Sequence, residues 1–149
     1  MRILLATFLL LCFSFQARAE PLASPSRFVA QQKLPGGRMV VVAEGDGEPR
    51  STGSYSVRLY SAANPEFPFD DFIVGAVLPR DGSIERLAVE DVDGDEVTEL
   101  VVVVRSAGSG GYLSADAIRF DSKRVEVIRS VEGLSSDADP IAELRKATP

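Results

Sequence analysis

The sequence lacks histidine altogether, and its single cysteine, Cys12, lies close to the amino terminus. Histidine is the commonest general base and the commonest metal ligand, so its absence excludes every Ser-His-Asp or Cys-His catalytic arrangement. A lone cysteine excludes an intramolecular disulfide and a thiolate metal site. The domain must therefore be held together by core packing, for which a chain of 149 residues is long enough.

The amino terminus has the pattern of a secretory signal peptide. Met1-Arg2 is a charged start, residues 3–15 are almost wholly apolar, and Ala17-Arg18-Ala19 has the small residues of a cleavage site. The apolar stretch is too short to span a membrane. We predict a signal peptide at 1–19, no membrane attachment after cleavage and, because the exported domain has no cysteine, a periplasmic location. An uncleaved interfacial anchor is the alternative.

Acidic residues outnumber basic ones, 22 to 16, which makes the net charge −6. Removal of Arg2 and Arg18 with the signal peptide leaves 14 basic residues, so the mature charge is 14 − 22 = −8. Such a surface repels nucleic acid, which we exclude as a partner, and attracts basic proteins. The alternative is that the charge only maintains solubility. The oligomeric state stays open, a homodimer included.

After a flexible leader at 20–26, rich in proline and serine, we predict a single β domain at 27–149. Short runs of strand-forming residues alternate with turn residues at even spacing, and the run at 54–61 alternates apolar and polar residues with period two. This pattern favours an antiparallel β-sandwich of about eight strands, with a closed β-barrel as the alternative. The predicted strands are 27–33, 38–43, 54–61, 72–78, 83–89, 99–105, 112–120 and 124–131.

Two segments break the alternating pattern. The run 101–104 is four consecutive valines, which predicts a central strand covered on both faces. Near the carboxyl terminus, Asp139 can cap a short helix that begins with Pro140, and Ile141 and Leu144 would form its apolar edge.

The loop that follows the fifth predicted strand is strongly acidic. Asp91, Asp93, Asp95 and Glu99 stand at alternate or nearby positions, a spacing from which carboxylate oxygens can converge on calcium. The loop resembles the calcium loops of propeller repeats, which have glycine where this chain has Glu96. A secreted calcium-binding β module is therefore one interpretation. A polar hairpin loop, whose aspartates bond to turn amides without any cofactor, is the other.

A glycine-rich segment, RSAGSGGY at 105–112, follows the central strand. Ser109 is flanked by glycines, but a nucleophile elbow needs glycine where Ala107 stands and a turn from strand to helix. The glycines also fail the dinucleotide and P-loop patterns. Ser109-Gly110-Gly111-Tyr112 instead predicts a tight turn with the Gly-Gly pair at its centre and a neutral hydroxyl on either side. An ordinary hairpin turn without a function is the alternative.

The chain resembles the periplasmic inhibitors of invertebrate-type (I-type) lysozyme. The resemblance is carried by the strings 105–116 (RSAGSGGYLSAD), 91–95 (DVDGD), 99–103 (ELVVV), 40–45 (VVVAEG) and 54–60 (SYSVRLY), together with the signal peptide and the DADP string at 137–140. It extends over essentially the whole mature chain.

The resemblance implies an inhibitor and not an enzyme, with I-type lysozyme as its partner. In the family a Ser-Gly-x-Tyr loop enters the active-site cleft of the lysozyme. That motif falls on Ser109, Gly110 and Tyr112, with Gly111 at the variable position. The related inhibitors of chicken-type lysozyme have one more residue before the tyrosine, so the spacing favours the I-type enzyme.

Overall fold

The strands form two antiparallel sheets of four strands, ordered β1-β2-β3-β4 and β5-β6-β7-β8. The computed structural model describes residues 27–147, so the predicted signal peptide and leader lie outside the described residues. The strands are β1 (Val29–Lys33), β2 (Met39–Glu44), β3 (Gly53–Tyr60), β4 (Phe72–Arg80), β5 (Ser83–Glu90), β6 (Glu99–Arg105), β7 (Leu113–Phe120) and β8 (Val125–Leu134).

The sandwich prediction is confirmed, and so are all eight strands, with ends that differ by three residues or fewer from the predicted ones. In each sheet every strand pairs with its neighbour in the chain, because short turns favour antiparallel hairpins. Within residues 27–147 no ladder joins one sheet to the other, so the alternative of a closed barrel is wrong.

The central strand β6 is buried on both of its faces, as its valine run predicts. Its residues Leu100, Val102 and Val104 belong to the core between the two sheets. Val101 and Val103 point the other way, into a second core beneath the carboxyl-terminal helix. Two buried faces explain why this strand has no polar alternation.

The predicted helix is present as α1 (Pro140–Lys146), and its cap is the predicted one. The Asp139 side chain accepts a hydrogen bond from the Ile141 amide at 3.0 Å, and Pro140 occupies the first helical position, where no amide hydrogen is needed. Leu144 is fully buried in the second core. In the part of the chain that the structure describes, no helix has the length and hydropathy needed to cross a membrane.

A buried tyrosine links the two sheets. The Tyr55 hydroxyl on β3 donates to the Asp116 carboxylate on β7 at 3.0 Å, and Ser130 on β8 donates to the other carboxylate oxygen at 2.7 Å. Burial raises the pKa of Tyr55 far above its usual value of 10.0, and the nearby negative charge of Asp116 raises it further. The neutral hydroxyl is therefore the form that the folded protein stabilises.

We predict that Tyr55→Phe destabilises the fold by about 1.5 kcal/mol at neutral pH, because Asp116 loses a hydrogen-bond donor. Because the pKa of Tyr55 is raised in the folded state, tyrosine ionises first in the unfolded chain as the pH rises above 10.0. The stability difference between the parent and Tyr55→Phe should therefore be complete below pH 10.0 and decline above it. Urea unfolding of both proteins on either side of that pH measures the difference. A constant difference would contradict the ionisation argument.

Candidate functional site

The glycine-rich segment forms the loop between β6 and β7, which we call the 106–112 loop. It lies at the end of the sandwich where β4 passes into β5 and where β8 terminates, because Arg105 pairs with Ser83 on β5 and Leu113 pairs with Leu134 on β8. Residues 107–110 and Tyr112 are exposed. The loop therefore projects from a rigid sheet into solvent.

The base of the loop is closed by backbone and side-chain hydrogen bonds. The Ser106 amide donates to the Tyr112 carbonyl at 2.8 Å. Arg105 donates through its Nη1 atom to the Gly111 carbonyl at 2.8 Å, and the same guanidinium pairs with Glu85 on β5. The hydrogen bond that Arg105 donates to Glu85 raises the pKa of Arg105, which keeps this brace charged.

The tight turn lies one residue earlier than the sequence predicted. The Gly111 amide donates to the Gly108 carbonyl at 3.0 Å, so Ser109 and Gly110 are the central residues and Tyr112 follows the turn. Gly111 takes a positive φ of 55°, which an L side chain tolerates poorly. This conformation of Gly111 lets the backbone turn from the tip of the loop toward β7.

The Tyr112 ring lies against the backbone of Gly110. A Cβ atom at Gly110 would stand 2.4 Å from Cε2 of that ring, so only glycine leaves room for the ring in this position. Tyr112 is 55% exposed and Ser109 is exposed, so both residues are accessible on the loop. The structure thus brings together the four residues that the sequence singled out.

The acidic loop lies at the opposite end of β6, between β5 and β6. The Asp91 carboxylate accepts hydrogen bonds from the Gly94 and Glu96 amides at 2.7 and 3.0 Å, and Asp95 accepts one from Val97 at 2.9 Å. These are the bonds of a polar hairpin loop. Glu96 takes a positive φ of 68°, the conformation for which the resembling calcium loops have glycine.

Arg119 on β7 lies between the carboxylates of the acidic loop. The sequence alone did not single it out. Its Nη2 atom lies 2.9 Å from Asp93, 3.0 Å from Asp95 and 2.6 Å from Glu99. The pairing of Leu100 with Ile118 places Glu99 and Arg119 at the next register position. The turn predicted at 109–112 would instead pair Glu99 with Ser122, so only the observed register of β6 against β7 identifies this arginine.

The positive charge of Arg119 stabilises the negative charges of the acidic loop. Glu99 is fully buried, and its other oxygen accepts from the Val92 amide at 3.1 Å. Partial burial disfavours the charged form of Asp93, but the hydrogen bond and charge of Arg119 outweigh it and lower the pKa of Asp93. The hydrogen bond to Glu99 is the largest cause that raises the pKa of Arg119.

The same loop also has features that suit a cation. Asp91, Asp93 and Glu99 each place a carboxylate oxygen within 4.8 Å of the others. Within residues 27–147, the buried Oδ1 atom of Asp93 has no hydrogen-bond partner. Three such oxygens are a partial ligand set for calcium, which takes six to eight. An ion there would compete with Arg119 for Asp93 and Glu99.

The family model described as periplasmic lysozyme inhibitor of I-type lysozyme matches residues 26–148. The chain belongs to this family. Among solved structures, it is similar to PliI, the periplasmic inhibitor of I-type lysozyme from Aeromonas hydrophila, with 56% identity and a TM-score of 0.73 over 78% of this chain and 98% of that one. No curated protein sequence matches the chain.

A second structure contains Aeromonas hydrophila PliI in complex with lysozyme from Meretrix lusoria. Its inhibitor chain is 56% identical to this one, with a TM-score of 0.74 over 82% of this chain and 97% of that one. Membership of the lysozyme-inhibitor family confirms the predictions of a non-enzymatic, periplasmic protein. The roles of Ser109 and Tyr112, and of the acidic loop, stay predictions.

Proposed function

We propose that the protein inhibits I-type lysozyme by inserting the 106–112 loop into the active-site cleft, which blocks peptidoglycan hydrolysis. The proposal is supported by family membership and by the crystallised complex of the Aeromonas hydrophila relative with a lysozyme. The observation that carries the loop assignment is the exposure of Ser109 and Tyr112 on a projecting loop braced by Arg105.

The chemistry of the loop suits a glycosidase cleft. A retaining glycosidase holds its two catalytic carboxyl groups about 5–5.5 Å apart. One of these carboxyl groups is protonated and the other ionised at the working pH. A hydroxyl can donate to a carboxylate or accept from a carboxylic acid, so Ser109 and Tyr112 can each engage one group. Neither hydroxyl has a charge that would be left unpaired in the closed interface.

The construction of the loop favours tight binding. Association costs free energy for every flexible segment that must be ordered, and a loop already closed by internal hydrogen bonds avoids part of this cost. The bonds to the Gly111 and Tyr112 carbonyls hold the loop at its base. The Gly108–Gly111 turn is thin, because Ser109 is its only residue with a side chain.

Net charge affects the rate of encounter more than the final affinity. Without the signal peptide the net charge is 14 − 22 = −8, so a basic lysozyme is attracted over a distance of about one Debye length, roughly 8 Å at physiological salt. We expect the association rate to fall as salt is added, while the dissociation rate changes little.

A lysis assay on isolated cell walls tests the proposal, with lysozymes of the invertebrate, chicken and goose types compared in parallel. We expect stoichiometric inhibition of the invertebrate-type enzyme and much weaker effects on the other two. A protein that inhibits none of the three at micromolar concentration would refute the proposed function.

We predict that Gly110→Ala weakens inhibition about tenfold without destabilising the fold. The new Cβ would stand 2.4 Å from the Tyr112 ring, and that ring is 55% exposed and free to swing away. The tyrosine then no longer projects at the angle that the cleft requires, a misplacement that costs affinity through dissociation. Surface plasmon resonance measures the rates. Gly108→Ala is the matched control, since a Cβ there would meet nothing within 4 Å.

A calcium-binding module is the second candidate function, favoured by the converging oxygens of Asp91, Asp93 and Glu99 and by the unpaired Asp93 oxygen within the described residues. Arg119 argues against it, because its guanidinium already pairs with Asp93 and Glu99, and an ion would have to compete with it for their oxygens. We expect millimolar calcium to leave the thermal midpoint unchanged. A rise that a chelator reverses would establish the site, since a ligand that binds only the folded state stabilises it.

A further inference from the structure

A groove of about 720 Å³ opens beside the 106–112 loop, between β4 and the β7–β8 hairpin. Tyr112 is among the residues that line it, and Leu78 and Val127 add apolar surface to the lining. The groove therefore continues the surface that the proposed function places against lysozyme. If Tyr112 enters the cleft of an enzyme, the rim of that cleft lies over this groove.

The groove has unbalanced negative charge. Asp81, Asp116 and Glu132 line it, and none of the three takes part in an ion pair among residues 27–147. Among the described residues, Arg80 is the one basic residue in its lining. The side chain of Arg80 is fully buried, and its guanidinium donates to the carbonyls of Pro49, Arg50 and Ser54. It therefore does not balance the carboxylates.

Two further groups in the groove can bind a donor. The Ser106 hydroxyl lines the groove, is buried and has no hydrogen-bond partner within the described part of the chain. Asp116 accepts one bond at each oxygen, from Tyr55 and Ser130, and a carboxylate oxygen can accept a second. Buried polar atoms without partners are uncommon in folded proteins, so this hydroxyl has a bond to gain on complex formation.

On the basis of the proposed function, we infer that this groove binds a lysine or arginine side chain from the rim of the lysozyme cleft. The cationic head group would lie among Asp81, Asp116 and Glu132, and its aliphatic stem would pack on Leu78 and Val127. The occupant is a cation because these carboxylates have no counter-charge among residues 27–147. It belongs to the lysozyme because Tyr112 lines the groove and is a part of the proposed interface.

The double variant Asp81→Asn/Glu132→Gln tests this inference, since both residues are exposed and their side chains can be changed without opening the core. We expect affinity for I-type lysozyme to fall about tenfold, mainly through faster dissociation, because charges enclosed by an interface act on the lifetime of the complex. Lysine-to-alanine and arginine-to-alanine variants of the lysozyme rim, measured against both inhibitors, identify the cation. Only the lysozyme variant that removes the bound cation should weaken binding of the parent inhibitor by about fivefold or more beyond its effect on the groove variant.

The matched control is Asp70→Asn/Asp71→Asn, which makes the same change in net charge at the opposite end of β4, on residues that are also exposed. We expect the control to slow association by less than about twofold through weaker long-range attraction. The inference is refuted if the groove variant dissociates no faster than the control. The proposed function fails separately, if the parent protein itself does not inhibit the enzyme.

Discussion

The double variant Ser109→Ala/Tyr112→Ala should lose affinity for I-type lysozyme by about a thousandfold. Residues at the centre of an interface that enter a water-excluded pocket commonly contribute about 2 kcal/mol or more each, and tyrosine is prominent among them. Here each truncation also removes the hydroxyl proposed to satisfy a catalytic carboxyl group. The loss should appear mainly in the dissociation rate.

The fold of this variant should be unchanged, because both side chains are exposed and neither belongs to a core cluster. Thermal unfolding of the two proteins checks this point. The single variants Ser109→Ala and Tyr112→Phe separate the contribution of each hydroxyl from that of the aromatic ring. Inhibition equal to that of the parent would show that the 106–112 loop is not the inhibitory element.

Replacement of Arg119 by methionine should destabilise the protein by about 3 kcal/mol. Removal of one partner from a buried ion pair leaves the other charge without compensation. Glu99 is 0% exposed, and Arg119 is the cation paired with it in the described residues. Asp93 and Asp95 lose the same partner and repel each other. Denaturant unfolding at neutral pH measures the loss.

Two further variants make this prediction specific. Arg119→Met/Glu99→Gln removes the buried charge together with its partner, and more than half of the lost stability should return. Arg124→Met makes the same substitution at a position where the ion pairs with Asp121 and Glu126 are exposed. It should change stability by less than about 0.5 kcal/mol. Equal losses in the two arginine variants would show that the acidic loop does not depend on the charge of Arg119.

The local features of the fold could be predicted because they depend on neighbouring residues. Period-two alternation marked the strands, and the unbroken valine run marked β6 as the strand with two covered faces. Asp139 and Pro140 marked the start of the helix. The turn in the 106–112 loop begins one residue earlier than predicted. The Gly-Gly pair can occupy more than one pair of positions in a tight turn, and the hydrogen bond from the Gly111 amide to the Gly108 carbonyl fixes which positions it takes.

The candidate site was only partly predictable. The sequence singled out Ser109, Tyr112 and the acidic residues, but it missed Arg119, which stands 20 positions after Glu99. When Arg119 is not considered, Asp91, Asp93 and Glu99 look like the ligands of a cation. The brace from Glu85 through Arg105 to Gly111 was also missed, because it depends on how β5 and β6 are paired.

By itself, the sequence determined that the predicted mature domain has neither histidine nor cysteine, that it forms short antiparallel strands, and that it carries two hydroxyls beside a glycine pair. Only the tertiary structure decided which charges are balanced. Arg119 pairs with three carboxylates of the acidic loop, while Asp81, Asp116 and Glu132 are left without a basic partner in the residues described. Alternation along a strand specifies which face is buried, but the side chains that meet depend on the register of the paired strands and on how the two sheets pack.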